Sequence, residues 1–293
     1  SFVFCFRGGQ RCPPFFFAFM NLEDKFISLT KKVYIDPNER VEYPPVAISY
    51  GYYKSGENHY PVPIGTYGNF SFIQAAPKSK KTFLVSMLCS CYLTGQTNFT
   101  GDLVGYRGDL KLVHFDTEQG KFHAQKVFRR VIDMGQTDNS FYDTYGLRTL
   151  DIVDRNLFIE LYLEKNYDKV GLMVIDGVAD LVSDVNDIRE SNELVQKIMY
   201  WTEKYNIHIV CVIHSNFNSD KPTGHLGSAL EKKTETQIKL QVNEQDDNIV
   251  QVSCKRSRSI PFEDFSFEVC RDGYPRIIDK IDTLLNIKSN GSR

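Results

Sequence analysis

The sequence predicts an α/β fold with a mainly parallel central sheet and a β-rich C-terminal extension. Three observations carry this. Apolar runs of strand length at Phe70–Ile73, Leu110–Phe115, Leu172–Ile175 and Ile207–Ile213 alternate with helix-length amphipathic segments, as parallel strands require when their crossovers are helices. The four runs close on polar residues, respectively Gln74, Asp116, Asp176 and His214, so one sheet edge gathers the polar chemistry where open parallel sheets bind ligands. Beyond Thr236 the segments shorten to Thr236–Leu240, Ile249–Cys254 and Phe265–Val269, with Asp246-Asp247-Asn248 as the hairpin turn between the first two.

Taken in order, residues 1–19 read as a tail, 20–68 as an N-terminal strap and 69–293 as the main domain. The opening SFVFCFRGGQRCPPFFFAF is broken by Arg7, Arg11 and the Gly-Gly and Pro-Pro pairs, which argues against a secretory signal. No apolar run reaches the length that spans a bilayer. The strap is turn-rich, with Pro37, Pro44, Pro45, Gly51, Gly56, Pro61, Pro63, Gly65 and Gly68. Helices are expected at Lys81–Leu93, Lys121–Met134, Asp154–Asn166 and Ser191–Asn206, the last with Leu194, Ile198, Trp201 and Tyr205 at helical spacing. Residues Ser215 to Leu226 form a polar stretch, and Ile278–Arg293 reads as a short amphipathic segment with a polar tail.

Composition narrows the class. At 293 residues, 42% hydrophobic and 25% charged, the chain is that of a soluble globular protein with one large core, or one core with a small appendage. A net charge of −2 gives no global attraction to nucleic acid or to anionic membrane, so any such binding must be local. The 7 cysteines are odd in number and mostly sit in apolar runs. They read as reduced core residues of a cytoplasmic protein, not as a disulfide frame or zinc site.

The stretch FSFIQAAPKSKKT, Phe70 to Thr82, has the layout of a phosphate-binding loop: an apolar strand, a small-residue turn, then Lys81, Thr82 and a helix-like segment. Such a loop, Ala75, Ala76, Pro77, Lys78, Ser79, Lys80, Lys81 and Thr82, needs backbone N–H groups curled around phosphates, a lysine on the outer phosphates and a hydroxyl for Mg²⁺. Its two glycine positions are held by Ala75 and Lys80, which counts against the pattern because glycine eases unusual backbone angles. The strand Leu172-Met173-Val174-Ile175-Asp176 ends in a carboxylate suited to hold Mg²⁺ opposite the hydroxyl of Thr82. KLVHFDTEQG, Lys111 to Gly120, brings Glu118 to the same edge, in reach of a water attacking the γ-phosphate.

With these residues the sequence resembles the RecA-like P-loop ATPases, in particular hexameric replicative helicases of the RepA and DnaB type. The resemblance covers about Asn69 to Gly273. It implies a RecA-like P-loop core binding ATP and Mg²⁺, with Glu118 as the catalytic glutamate and the strand ending at His214 carrying a γ-phosphate sensor. Gly224-His-Leu-Gly-Ser-Ala229 resembles the segment after the second channel loop. Cys254-Lys-Arg-Ser-Arg-Ser-Ile-Pro261 resembles the strand end from which a basic finger, Arg256 or Arg258, enters a neighbour's site. Pro261-Phe-Glu-Asp-Phe265 is similar to ATPases of mobile elements whose loops favour lysine over glycine. The implied function is a DNA helicase or translocase on single-stranded DNA, assembled as a homo-oligomeric hexameric ring and without membrane attachment. The same fold also serves nucleotide-gated recombination or loading factors, and degenerate scaffolds that do not hydrolyse. On the bland side, His114 and His208 read as satisfied core histidines, and Lys221, His225, Lys232 and Lys233 as either a channel lining or ordinary surface.

Overall fold

The computed structural model describes residues 21–215 and 221–278. The tail at 1–19, the middle of the polar stretch after Ser215, and nearly all of the closing segment 278–293 lie outside the described residues. The chain divides into two units, Ser1–Tyr43 and Pro44–Arg293. In the first, helix α1 (Leu22–Val33) is capped by Asn21, whose side chain accepts from the Glu23 amide, and none of its residues is buried.

In the second unit, the part of the expected strap from Val46 to Thr66 is mostly strand. β1 (Val46–Ser55) and β2 (Asn58–Thr66) form an antiparallel pair, which β4 (Leu103–Gly105) extends into a three-stranded sheet. The prolines of β2 are tolerated because, among the described residues, β2 is an edge strand of this sheet.

The nine-stranded main sheet has β3 (Phe70–Ala75), β5 (Lys111–Asp116), β6 (Tyr142–Gly146), β7 (Val170–Asp176), β8 (His208–His214) and β9 (Thr236–Val242) as parallel neighbours in the order β9-β3-β8-β7-β5-β6. β10 (Ile249–Ser257), β11 (Phe265–Val269) and β12 (Pro275–Ile278) continue it beyond β9 as antiparallel strands. The expected strands are present, each within a few residues of its expected ends. β6 was not anticipated, since Tyr-Asp-Thr-Tyr-Gly is a short edge strand whose polar residues hide the apolar signal.

Helices cover both faces because strand side chains alternate. Ile73 and Ala75 face a core shared with α2 (Lys81–Thr94) and α3 (Lys121–Gly135), whereas Phe70 and Phe72 face one shared with α4 (Ile152–Lys165), α5 (Ile188–Tyr205) and α6 (Gly224–Lys233). α3 buries Ala124, Val127, Val131 and Met134 at spacings of one helical turn. α5 starts on Asp187, whose carboxylate accepts from the Glu190 amide at 2.7 Å, and buries Leu194, Ile198, Trp201 and Tyr205 as the periodicity predicts.

A buried polar knot fixes the edge where β3 begins. The Glu235 carboxylate accepts from the Thr66 amide and hydroxyl, both at 2.8 Å. His208 is fully buried, as expected of a core histidine, and its ring packs where any side chain at position 65 would stand, so Gly65 is required there. Its Nδ1 meets the Thr66 carbonyl at 2.9 Å, which only accepts, so Nδ1 carries the proton and Nε2 accepts from the Ser71 hydroxyl at 3.0 Å. Burial drives the His208 pKa down to about 4, against about 6.5 unfolded. The folded chain therefore prefers the neutral ring; that contribution is complete above pH 6.5 and is lost as pH falls towards 4. In urea melts between these pH values, the His208→Asn variant is expected to lose stability on acidification less steeply than the parent, by up to about 1.4 kcal/mol per pH unit. Parallel pH profiles would contradict the neutral assignment.

Candidate functional site

Sheet register assembles the site. Parallel pairing sets Ala75 beside His214, Asp176 beside Val212 and Asp116 beside Asp176. The ends of β3, β8, β7 and β5 thus line one edge in that order. Gln74 is the exception to the expected polar tips: β3 runs on to Ala75, and the Gln74 amide oxygen is buried inside the sheet accepting from Gln237 Nε2 at 2.7 Å.

After β3 the loop folds on itself. The Ser79 amide donates to Ala76 O and the Phe83 amide to Lys80 O, at 3.2 and 3.0 Å. Lys78 and Lys80 both adopt the left-handed region, with φ of 63° and 62°. Ala75, one of the two positions where glycine seemed to be missed, is ordinary buried strand. The strained positions are thus Lys78 and Lys80, each held at a cost of about 1–2 kcal/mol relative to glycine's freedom. Among the described residues, the amides of Lys78, Lys80, Lys81 and Thr82 donate to no protein acceptor. They belong to the loop and the first turn of α2, where unsatisfied N–H groups and the helix dipole favour an anion.

These residues border a cavity of about 320 Å³ lined by Lys78, Ser79, Lys80, Lys81, Thr82, Phe83, Glu118, Asp176 and His214. Lys81 is buried, and its Nζ lies 3.0 Å from His214 Nδ1 and 3.4 Å from Ala76 O. His214 Nε2 lies 2.9 Å from Glu118 Oε1. An ammonium only donates, so His214 Nδ1 accepts from Lys81 and Nε2–H donates to the Glu118 carboxylate. Burial lowers the Lys81 pKa, opposed by the charges of Glu118 and Asp176. The hydrogen bond from His214 holds the Glu118 pKa below its ordinary value despite its burial.

Asp176 is in the opposite situation. It is fully sequestered, its pKa is pushed up to about 7 by burial with Asp116 and Glu118 adding, and its Oδ2 has no hydrogen-bond partner. Asp176 and Thr82 line the same cavity, and a buried carboxylate with an unpartnered oxygen there suits a divalent cation that takes its other ligands from phosphate and water. No group of three or more His, Cys, Asp or Glu arranged for a metal occurs among the described residues, so an all-protein cage is absent there.

Asp116 builds the turn below Glu118. Its carboxylate accepts from the Glu118 and Gln119 amides at 3.1 and 2.7 Å and from Gln119 Nε2 at 2.8 Å. Neither Asp116 nor Gln119 stood out as structural; Asp followed by amides two and three residues on is the signal that could have found them. Phe83, also missed, lies under the Arg130 guanidinium, 4.0 Å from the ring centroid.

The expected basic finger is not brought into this cavity. β10 is antiparallel to β9, so its end pairs with Thr236 near the start of β3, at the opposite sheet edge. Arg256 there reaches Glu231 at 3.4 Å, and Arg258 donates to Lys233 O at 2.7 Å. Gly224–Ala229, expected to resemble a segment after a channel loop, opens α6 and buries Leu226 and Ala229.

Known proteins share this architecture. Residues 65–220 match the model of a family described as an AAA domain. Among solved structures, the chain is similar to a RadB recombinase, at 16% identity over 73% of this chain and 92% of that one, with a TM-score of 0.50. It is also similar to a second solved structure, an isolated ATPase domain, at 15% identity over 73% and 87% of the two chains, with a TM-score of 0.53. No curated protein matches the sequence. The two likenesses show the fold alone: a RecA-like α/β fold, here a large, mostly parallel sheet with added antiparallel strands.

The left-handed loop makes a prediction about stability. Lys80→Gly is expected to leave the chemical-denaturation midpoint within about 1 kcal/mol of the parent, relief of strain offsetting the added freedom of the unfolded chain. Lys80→Val is expected to destabilise by a further 1–2 kcal/mol or so, since a β-branched residue resists positive φ. Equal midpoints for the two would show that position 80 does not hold this angle.

Proposed function

Because the chain belongs to the AAA domain family, we propose that it is an ATPase that binds MgATP on the loop from Ala75 to Thr82 and hydrolyses it. One observation carries the reading: unengaged amides at a helix start share one cavity with a buried lysine, an orphaned carboxylate and a second carboxylate held ionised by a histidine.

Each group then has a task. The amides of Lys78, Lys80, Lys81 and Thr82 cradle phosphate oxygens. Lys81 exchanges His214 Nδ1 for the outer phosphates, a stronger acceptor for an ammonium. Thr82 and Asp176 hold Mg²⁺, which supplies charge neutralisation on the phosphates when bound. Glu118, kept ionised by its bond from His214, orients a water and takes its proton. His214 touches both Lys81 and Glu118, so it can report to the base whether the lysine is occupied. Arg256 or Arg258 would act on a neighbouring copy's site, in a homo-oligomeric ring taken as hexameric. Each sits at the edge remote from its own cavity, and Arg256 is largely exposed.

At the level of biology the reading is a DNA helicase or single-stranded DNA translocase serving replication or mobilisation of a mobile element. Support comes from the ordered motifs of the sequence and from the likeness to a solved ATPase domain. The likeness to a RadB recombinase favours a second reading, a nucleotide-gated recombination or loading factor with the same site. Stimulation of turnover by single-stranded DNA separates the two, being expected of the translocase.

Lys81→Ala is expected to abolish the MgATP-dependent rise in melting temperature. Glu118→Gln should keep that rise while lowering kcat by about 10²–10⁴-fold. Absence of any MgATP-dependent shift in the parent would defeat the nucleotide reading, and full turnover in Glu118→Gln would defeat the role of the glutamate.

A further inference from the structure

We propose that the hydroxyl of Thr117, wedged between Gly177 and Asp180, is the positioning device for Glu118. The proposal rests on the hydrolytic reading of the site. Thr117 is buried and does not line the cavity, so any influence it has on chemistry passes through its neighbours.

Its bonds are unusually complete for one residue. The main-chain amide donates to Asp176 O at 2.8 Å. The Gly177 amide donates to Oγ1 at 2.8 Å, and Oγ1 faces Asp180 Oδ2 at 2.7 Å and Gly177 O at 2.9 Å. A hydroxyl has one proton, and a carboxylate attracts it more strongly than a carbonyl. Oγ1 therefore accepts from Gly177 and donates to Asp180, tying the exit of β5 to the exit of β7 on both sides of the peptide.

Asp180 is itself fixed. Its amide donates to Gly177 O at 3.2 Å, and its carbonyl accepts from Arg155 Nη1 at 2.9 Å. Arg155 also donates from Nε to Leu147 O and from Nη2 to Arg148 O, at 3.1 and 3.2 Å. The Leu147 amide in turn donates to Asp116 O at 2.7 Å. The path thus closes on the residue before Thr117: Thr117, Asp180, Arg155, Leu147, Asp116.

Glu118 rides on this closed path. Its Oε1 sits 3.4 Å from where a β-carbon on Gly177 would stand, so the spacing between Gly177 and the β5 exit sets where the carboxylate meets His214 and the cavity. Thr117→Val keeps the shape, breaks the path and leaves the Gly177 amide without its acceptor.

The test compares Thr117→Val with Thr117→Ser in the full chain. Thr117→Val is expected to lower kcat for ATP about 10–100-fold, as a displacement near 1 Å does, with the MgATP dissociation constant unchanged. Thr117→Ser restores kcat. In a Glu118→Gln background Thr117→Val is expected to add little, because both changes act on one group. A readout free of turnover is the ¹⁵N resonances of the His214 ring, which report its bond to Glu118: they shift in Thr117→Val and return in Thr117→Ser. Asp180→Asn, a milder break in the same path, should shift them in the same direction and serves if Thr117→Val does not fold. If the parent does not hydrolyse ATP, the hydrolytic reading fails, and the His214 resonances alone decide whether Thr117 positions Glu118. Parental kcat with unmoved His214 resonances in Thr117→Val, or in Asp180→Asn where that variant is the one that folds, overturns the proposal.

Discussion

A buried ammonium sets the terms for everything at the C-terminal edge of the sheet. Lys81 is only 8% exposed, and a cation taken out of water must find acceptors or lose its proton. Its protein acceptors among the described residues are Ala76 O and His214 Nδ1. Both are neutral, so the charge is balanced from further off, by Glu118 and Asp176. With three donors and two acceptors, the ammonium keeps a donor uncommitted in a cavity bordered by unengaged amides. The sheet edge is therefore arranged for an anion even though acids stand around it.

Register is what delivers this arrangement. Four parallel strands end within two residues of a common line, Ala75 beside His214, Asp176 beside Val212 and Asp116 beside Asp176. A slip of one residue in β8 would turn His214 to the other face and separate Lys81 from Glu118. The register is fixed far from the site. At the other edge, Glu235 clasps Thr66 and His208 clasps both Thr66 and Ser71, so the end of β2 is pinned to the starts of β3, β8 and β9. Polar groups buried there without partners would be costly, which makes alternative pairings expensive and the tips of the strands predictable.

Much of this was legible in the sequence, and the reasons are physical. Continuous apolar runs bounded by polar residues mark buried parallel strands, so β3, β5, β7 and β8 were found and their acidic or histidine ends were placed on one edge. The loop was found from Lys81 and Thr82, because side-chain chemistry is written in residue type. Backbone angle is not. The glycine pattern pointed to unusual angles at Ala75 and Lys80; Lys80 has one, but the other falls on Lys78 and not on Ala75, since the turn starts only after β3 ends. Edge strand β6 and the strands at 46–66 were read poorly because short or proline-bearing strands carry little periodic signal. Nor does spacing reveal the Thr117–Asp180 contact, which joins residues 63 apart.

The acids of the site explain why lysine is tolerated where glycine is usual. Asp116, Glu118 and Asp176 crowd one edge, and two of them raise a neighbour's pKa: Glu118 acts on Asp116, and both act on Asp176, which burial with their help pushes to about 7. An incoming polyanion meets that field as a barrier. Lys78 and Lys80 stand at the cavity mouth, where exposed charges add little to folding stability but shape the potential that an anion meets on approach. Glycine at either position would remove strain and leave the acids unopposed. The left-handed lysines thus accept a local cost of about 1–2 kcal/mol each in return for a loop whose cations offset the carboxylates behind it. On the proposed reading, that trade suits an occupant that is anionic and arrives with a cation for Asp176.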